Sequence, residues 1–185
     1  EISEVIRLMV GRTIYEEPKT KSMCPPDAPV VLEAEHLCSL DVKDVSFQLH
    51  KGEIIGFAGT VGAGKSETAQ AVFGIDKLTG GQILVDGKEY KHTTGGAIAA
   101  GVALVPEERR IQGIIPDFTL TKNVTLAFLN KWIKRGVIQN KNERVTTDEY
   151  IKRLSVRTTD ATQFIKNLSG GNQQKVILGR WLLTQ

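Results

Sequence analysis

The sequence predicts an α/β domain with a β-rich beginning, a mixed centre and a helical later part. Apolar residues that alternate with polar ones predict strands over residues 30–37 and 45–49. Residues 53–58 are almost entirely apolar, which predicts a strand buried on both faces of a sheet. A helix is predicted over 67–73, and residues 119–156 carry apolar side chains at helical spacing. Strands followed by helices in this order indicate one α/β domain.

Three smaller features complete this prediction. Residues 82–90 contain the turn signal Asp86-Gly87 between two short apolar stretches, which predicts a hairpin. Residues 102–105 predict another buried strand. In the helical part, Thr146 and Glu149 are three residues apart, as in a capping box, and predict a helix start there.

The start of the chain has a different composition. Residues 1–12 place apolar side chains at helical spacing and predict a short amphipathic helix. Because so short a helix needs a surface against its apolar stripe, we expect it to end an earlier domain. A processed or truncated start explains the absence of an initial methionine equally well. Residues 13–29 hold four of the six prolines and predict a linker, which leaves 30–185 as the main domain.

Composition restricts the function classes. The 24 basic and 21 acidic residues give a net charge of +3, and the basic residues are scattered, so we expect no nucleic-acid partner. The longest small and apolar stretch, 95–105, is about half the ~20 residues of a membrane-spanning helix. Cys24 and Cys38 have no neighbours that would complete a metal site, and we expect both to be structural thiols in a reducing, cytoplasmic setting.

A glycine-rich loop between the predicted strand 53–58 and the predicted helix matches the phosphate-binding pattern G-x-x-x-x-G-K-[ST]. Glycines allow successive N–H groups to turn toward a phosphate, and the helix adds its positive end. We expect Lys65 to hold the β- and γ-phosphates of ATP, Ser66 to bind Mg²⁺ and Glu67 to complete the site. The alternative is a glycine-rich turn that matches by chance. The predicted nucleotide-binding residues are Gly59, Thr60, Val61, Gly62, Ala63, Gly64, Lys65, Ser66 and Glu67.

A second motif indicates what the nucleotide is used for. Its residues, Leu168, Ser169, Gly170, Gly171, Asn172 and Gln173, precede an apolar helix and resemble the LSGGQ-like signature of ATP-binding-cassette (ABC) ATPases. A Ser-Gly-Gly helix start is the alternative interpretation of the local backbone. The resemblance implies that Ser169 and Gly171 act in trans, on the γ-phosphate held by a second ATPase domain. A hydroxyl, glycine backbone and a helix dipole all stabilise an anion.

The segment 105–110, Val-Pro-Glu-Glu-Arg-Arg, stands where this family has its Q-loop. The usual glutamine is replaced by Glu107, which would bring a charge to Mg²⁺ and the attacking water. Two interpretations stay open: Glu107 is a catalytic and metal-binding residue, or it belongs to a charged surface turn. The aromatic residue that contacts adenine in the family is not evident. His36 is a weak substitute, and we expect His36, His50 and His92 to be surface histidines.

VGAGKSE, AVFG, VPEERR and LSGGNQQKV followed by RWL resemble the second ATPase domain of tandem-domain importers of simple sugars such as ribose, galactose, arabinose or xylose. The resemblance implies a P-loop NTPase (RecA-like) core, an antiparallel β subdomain and a helical signature subdomain over about 119–180. It makes 1–12 the tail helix of a preceding ATPase domain and 13–29 the tether. Lys65 is kept here, whereas several members replace it.

The same resemblance implies partners and a location. The partners are the first ATPase domain of the same polypeptide or a second copy, a transmembrane permease and, indirectly, an extracytoplasmic sugar-binding protein. The ATPase would lie peripherally on the cytoplasmic face of the plasma membrane. The family's Asp-Glu strand and switch histidine would follow Gln185, so part of the core is missing and we expect this chain alone to have little activity. The alternatives are import of a nucleoside or signalling sugar, or a regulatory half with little hydrolysis.

Overall fold

The computed structural model describes residues 4, 5, 8 and 24–183. Its main sheet is antiparallel, with strand order β2-β1-β3-β4. Ala34 of β1 pairs with Phe47 on one side and with Ile83 on the other, so β1 is the centre of the sheet. The predicted strands over 30–37 and 45–49 are confirmed. The strands are β1 Val30–Cys38, β2 Val45–His50, β3 Gly80–Val85 and β4 Lys88–Glu89.

The β3–β4 hairpin turns at the two predicted residues. Asp86 and Gly87 have φ values of 49° and 71°. Positive φ at both central positions is the type I′ geometry that suits the twist of a two-residue hairpin. Beneath the sheet lies a small apolar core centred on Leu37, which is fully buried, and including Val72 from the next helix.

Helix α1, Lys65–Phe73, begins at the glycine-rich loop, as predicted, and packs Val72 onto the sheet core. It ends at Gly74, whose φ of 77° is left-handed. A Cβ at Gly74 would lie 2.7 Å from the carbonyl carbon of Thr93, so only glycine fits this end. The side chain of Thr93 caps α2, Thr94–Ala99, by accepting from Gly96 N at 3.1 Å.

The later part of the chain is helical, with its own core around Leu120, Ile165 and Ile177. Phe73 at the end of α1 meets Trp181 edge-on, with ring centroids 5.6 Å apart, which joins the two parts. The elements are a π-helical turn at Arg109–Gly113, α3 Leu120–Thr125, a 3₁₀ segment Leu126–Trp132, the small hairpin β5 Ile133–Lys134 and β6 Val137–Ile138, α4 Asn140–Arg153, a 3₁₀ turn Ile165–Asn167 and α5 Gly170–Leu182.

A buried polar junction holds α3 against α5. The amide of Asn123 donates to three carbonyls, those of Ile115, Phe118 and Thr119. Arg180 donates through Nε to Asn123 O at 2.7 Å, and its burial lowers the pKa of the guanidinium. These bonds satisfy polar groups that would otherwise destabilise the helical core.

Three predictions are wrong. Residues 53–58 and 102–105 are not strands: neither segment pairs its backbone with another strand within the described residues. They are not buried either: Ile54 is 95% exposed and Val105 44%. The capping box is also wrong, since Thr146 and Glu149 lie inside α4, which begins six residues before Thr146.

The predicted tail helix 1–12 and linker 13–29 lie largely outside the described residues. Of the former, Glu4, Val5 and Leu8 are described and are helical, and the side chains of Val5 and Leu8 are exposed. Of the latter, only 24–29 are described. Within the described ranges, no helix has the length and apolar character that crossing a bilayer demands.

Candidate functional site

The loop 59–66 has the backbone of an anion-binding turn. Gly62 and Gly64 have φ values of 80° and 82°, in the left-handed region that glycine adopts without strain. A Cβ at Gly59 would come within 2.9 Å of the Ala63 Cβ, so this position also requires glycine. Gly64 precedes α1, and no side chain caps that end of the helix. The N–H groups of the first turn therefore lack a side-chain acceptor.

Lys65 turns back over this loop. Its Nζ donates to Gly59 O at 2.9 Å and to Thr60 O at 2.7 Å. The ammonium group is thus held at the centre of the loop, beside the uncapped start of α1. Val61 at the tip of the loop is fully exposed, so its side chain does not cover the ammonium group. A concave backbone, a helix N-terminus and one ammonium group make up the donor set that phosphate oxygens require.

Two predicted residues from different motifs meet next to this loop. Ser66 Oγ donates to Glu107 Oε2 at 2.9 Å. In octahedral Mg²⁺ coordination with bonds of about 2.0–2.1 Å, adjacent oxygen ligands are about 2.9 Å apart, so this pair has the spacing and the oxygen donors that Mg²⁺ prefers. Glu67 lies beside them in the first turn of α1. All three residues line a cleft of about 500 Å³ together with Lys65.

The signature residues have two structural roles. Leu168 and Gln173 point inward: Leu168 is 8% exposed in the helical core, and Gln173 donates to Ile165 O at 3.2 Å. Ser169 and Gly171 are exposed at the start of α5. Asn172 fixes the loop, because it donates to Ser169 Oγ at 2.9 Å and accepts from Arg157 N at 2.9 Å. The exposed pair is the one predicted to act in trans.

Arg109 links the segment 105–110 to the signature, and the sequence analysis did not single it out. Its Nε donates to Gln173 Oε1 at 3.4 Å. Its Cζ would lie 3.0 Å from a Cβ at Gly170, so the guanidinium packs on the bare backbone of that glycine. The feature of the sequence that could have indicated Arg109 is its position two residues after Glu107. Glu107 thus contacts the P-loop while Arg109 contacts the signature helix, yet no signature residue lines the P-loop cleft.

The loop between β1 and β2 also approaches the P-loop. Asp41 O lies 3.5 Å from where a Cβ at Gly64 would stand, and the preceding residue, Leu40, is 89% exposed. The sequence analysis looked for an aromatic residue and did not single out Leu40. His36 is exposed and pairs through Nδ1 with Asp44 Oδ1 at 2.6 Å; this hydrogen bond and the negative charge of Asp44 raise the pKa of His36.

The other two histidines are half-buried, so their predicted surface positions are wrong. His50 Nδ1 is hydrogen-bonded to Ala28 O and His92 Nε2 to Ala71 O, each at 2.7 Å. Both hold backbone segments together, and neither lines the P-loop cleft.

The sequence profile of the ABC transporter family matches residues 42–185, which include both the P-loop and the signature. The chain belongs to the ABC transporter family. ABC ATPases bind ATP, and the loop geometry described above belongs to that function.

Among curated proteins, this ABC chain is similar to the ribose import ATP-binding protein RbsA of Lactococcus lactis subsp. cremoris (strain SK11), with 39% identity over 182 residues and 98% of this chain covered. It is also similar to the galactose/methyl galactoside import ATP-binding protein MglA of Salmonella typhimurium, with 40% identity over 190 residues and 100% of this chain covered. The chain spans 37% of the length of each of these relatives.

Solved structures confirm the α/β P-loop fold of the ABC ATPases. A nucleotide-free ATP-binding cassette superimposes with a TM-score of 0.67 at 18% identity, covering 84% of this chain and 66% of that one. CbiO1 from Clostridium perfringens gives a TM-score of 0.64 at 20% identity, covering 84% and 62%. At these identities the likeness concerns the fold.

Proposed function

We propose that this chain is part of the ATP-binding subunit of a monosaccharide importer and that it couples ATP binding and hydrolysis to uptake through a separate permease. The observation that carries the proposal is the meeting of Lys65, Ser66 and Glu107 around the uncapped start of α1. The names of the relatives support the sugar: they import ribose or galactose and are 39% and 40% identical to this chain.

In this proposal each P-loop residue has one task. The backbone of residues 59–64 and the first turn of α1 bind the phosphate oxygens, and Glu67 lies beside them. Lys65 exchanges its contacts to Gly59 O and Thr60 O for contacts to the β- and γ-phosphates. Leu40, exposed on the neighbouring loop, offers the apolar contact for adenine that an aromatic residue makes elsewhere. Lys65 also serves catalysis, because its charge offsets the charge that spreads over the transferred phosphoryl group.

Ser66 and Glu107 would hold Mg²⁺. When bound there, the ion neutralises charge on the β- and γ-phosphates. At this position the family usually has a glutamine with a neutral amide. The carboxylate of Glu107 therefore adds a negative charge to the proposed metal site. Its contact with Ser66, a residue of the P-loop itself, favours this role over that of a surface turn.

The signature residues would serve a second nucleotide. Ser169 and Gly171 are exposed at the start of α5, whereas Leu168 and Gln173 are anchored in the helical core. This arrangement supports action in trans on ATP held by a first ATPase domain of the same polypeptide or by a second copy. We further propose that residues 1–12 and 13–29 are the tail helix and tether of such a tandem, and that about 119–180 form its helical signature subdomain.

The other partners are a transmembrane permease and, indirectly, an extracytoplasmic sugar-binding protein, and no nucleic acid is required. The subunit would bind peripherally at the cytoplasmic face of the plasma membrane. The test is uptake of labelled monosaccharides into membrane vesicles that contain the full-length polypeptide with its permease and binding protein. We expect ATP-dependent uptake of ribose or galactose that Lys65→Ala reduces. Uptake of nucleosides alone, or sugar uptake without ATP, would contradict the proposal.

A second candidate is a regulatory half that binds ATP but hydrolyses little. The carboxylate of Glu107 favours it, because a negative charge at the metal site repels the phosphoryl group and a hydroxide-like nucleophile. Vanadate trapping with labelled nucleotide in the intact importer distinguishes the two candidates. Labelling of both ATPase domains supports hydrolysis at this one, whereas labelling of only the other supports the regulatory role.

A further inference from the structure

The small β5–β6 hairpin and the start of α4 carry a local excess of positive charge. Basic residues are scattered along the chain as a whole, but residues 131–145 contain five basic residues and one acidic residue. All five basic residues are exposed, whereas the acidic one, Glu143, is only 4% exposed. The charge that this stretch presents to solvent is therefore positive.

The pairing of the hairpin decides which of its side chains point away from the domain. Ile133 is opposite Ile138, and Ile138 lines a small cavity between the hairpin and the neighbouring helices. Successive residues of a strand point to opposite faces, so the other pair, Lys134 and Val137, lies on the outer face. Val137 is 63% exposed. The outer face of the hairpin thus combines an aliphatic side chain with a lysine.

The turn and the following helix place two more cations beside this face. Arg135 and Gly136 form the turn, with φ values of 51° and 78°. Lys141 lies in the first turn of α4, three residues after the end of β6. The side chains of Arg135 and Lys141 are both exposed. We call Lys134, Arg135, Val137 and Lys141 the hairpin patch.

The other two basic residues of the stretch have contacts of their own. Lys131 Nζ donates to Leu183 O at 2.7 Å and lies over the ring of Phe128, 5.5 Å from its centroid. Lys131 therefore ties the base of the hairpin to the end of α5. Arg144 is close enough to Asp160 for their charges to interact. The cations of the hairpin patch make no hydrogen bond or ion pair within the described residues through their side chains.

The β3–β4 hairpin provides a comparison within the same molecule. Its two central residues also have positive φ, so the two turns are of the same kind. The exposed residues at and after that turn are Asp86, Lys88 and Glu89, whose net charge is negative, and no large aliphatic side chain is exposed among residues 80–89. A two-residue turn does not itself require the composition of the hairpin patch.

We propose that the hairpin patch binds the anionic headgroups of a lipid bilayer. Lysine and arginine are attracted to a negatively charged membrane surface, and an aliphatic side chain among them enters the boundary between headgroups and acyl chains. Nucleic acids are bound with aromatic side chains that stack on bases, and the exposed apolar residue here is aliphatic. The proposed importer function supplies the membrane, but the affinity for lipid rests on the patch alone.

The first test is co-sedimentation of the full-length polypeptide, without permease, with vesicles of phosphatidylglycerol and phosphatidylcholine in equal parts. We expect Lys134→Gln combined with Arg135→Gln to weaken binding about 25-fold, since each basic residue near an anionic surface contributes about fivefold. Lys88→Gln combined with Lys91→Gln removes the same charge from exposed positions near the other hairpin and is the matched control. An equal effect of the two double variants would overturn the proposal.

The wild-type protein tests the lipid without any variant. We expect binding to the anionic vesicles to fall as salt is added, because salt screens the attraction, and we expect vesicles of phosphatidylcholine alone to bind little. Free glycerol phosphate, at the same concentration of phosphate groups, should not compete, since it presents no surface. Equal binding to both kinds of vesicle, or tighter binding to single-stranded RNA than to the anionic vesicles, would overturn the choice of lipid.

A last test asks whether the tip of the hairpin enters the bilayer. We expect the fluorescence that Val137→Trp adds to the wild-type signal to be quenched by brominated phosphatidylcholine in the anionic vesicles. Glu89→Trp, at an exposed position of the other hairpin, should stay unquenched. The same response of both variants would contradict insertion of the tip. Because these experiments need neither permease nor sugar, they succeed or fail independently of the proposed importer function.

Discussion

At the scale of single residues, Lys65 is the proposed cation of the phosphate site. We expect Lys65→Ala to weaken Mg-ATP binding about 10–100-fold, because charge-assisted hydrogen bonds to phosphate are lost. Isothermal titration calorimetry on the full-length polypeptide measures this, with any second P-loop inactivated so that one site is titrated. Lys88→Ala, at an exposed position of β4, is the control. Unchanged affinity in Lys65→Ala would contradict a working P-loop.

Glu107 and Glu108 are neighbours that line the same cleft, but Glu107 alone is hydrogen-bonded to Ser66. We expect Glu107→Gln to raise the Mg²⁺ concentration needed for half-maximal ATP binding, since an amide is a weaker ligand than a carboxylate. Glu108→Gln should leave that concentration unchanged. The measurement is a Mg²⁺ titration at fixed ATP. If both variants behave alike, Glu107 belongs to a charged surface turn after all.

His36 provides a test of local electrostatics. Its pKa is raised by the hydrogen bond and charge of Asp44, so the pair stabilises the fold fully below about pH 6.5, the unfolded pKa, and loses that contribution as pH rises through the folded pKa. We expect Asp44→Asn to return the His36 pKa toward its ordinary value. NMR titration of the ring protons measures it, and His50 is the internal control. An unshifted His36 pKa in the wild type would contradict the pairing.

At the scale of elements, the β3–β4 turn depends on a left-handed residue. Gly87 has a φ of 71°, and nothing lies within 4 Å of where its Cβ would be, so Gly87→Ala tests backbone strain alone. We expect it to lower the free energy of unfolding by about 1 kcal/mol. Gly95→Ala, at an equally open position in α2 without a positive φ, should raise it by about 0.5–1 kcal/mol. Thermal unfolding compares them, and equal changes would argue against the turn geometry.

Local patterns predicted local elements well. β1, β2, α1 and the Asp86–Gly87 turn follow from alternation, helix position and turn chemistry, because their partners are near in the chain. The strands at 53–58 and 102–105 failed because a strand exists only where another chain segment pairs with it. The capping pattern at Thr146 failed because α4 already starts at Asn140, where no residue pattern indicated it.

Only part of the candidate site could be predicted from the sequence. Contiguous motifs predicted Lys65, Ser66 and the signature residues. The contacts made by Glu107 and Arg109 join segments 41 and 64 residues apart in the chain, and no pattern in the sequence records them. Leu40, the proposed contact for adenine, was not predicted, because only the structure shows that its neighbour Asp41 lies beside Gly64.

At the scale of the whole molecule, several large apolar side chains around the segments 53–58 and 102–105 are exposed to solvent. Ile54 is 95% exposed, Phe57 48% and Val105 44%. We expect the backbone amides of 54–57 to exchange hydrogen quickly in the 185-residue chain and slowly in the full-length polypeptide. Exchange at Ala34, in the centre of the sheet, should be slow in both.

In the proposed importer each ATP site is shared between two ATPase domains, so we expect the chain alone to hydrolyse ATP about a hundredfold or more below the rate of the full importer. A coupled assay for released phosphate measures the turnover of both. Turnover by the isolated chain at the full rate, or slow exchange at 54–57 in it, would show that the described domain is sufficient.

The contact between Phe73 and Trp181 has a consequence for how this protein can be observed. Helix α1 begins in the P-loop and ends at Phe73, and its nine residues span about 13 Å, too few turns to absorb a displacement by bending. Trp181 belongs to the helix that begins at the signature. The indole thus stands where α1 meets α5, and in the proposed importer its fluorescence would follow the relative motion of these two helices without any added dye.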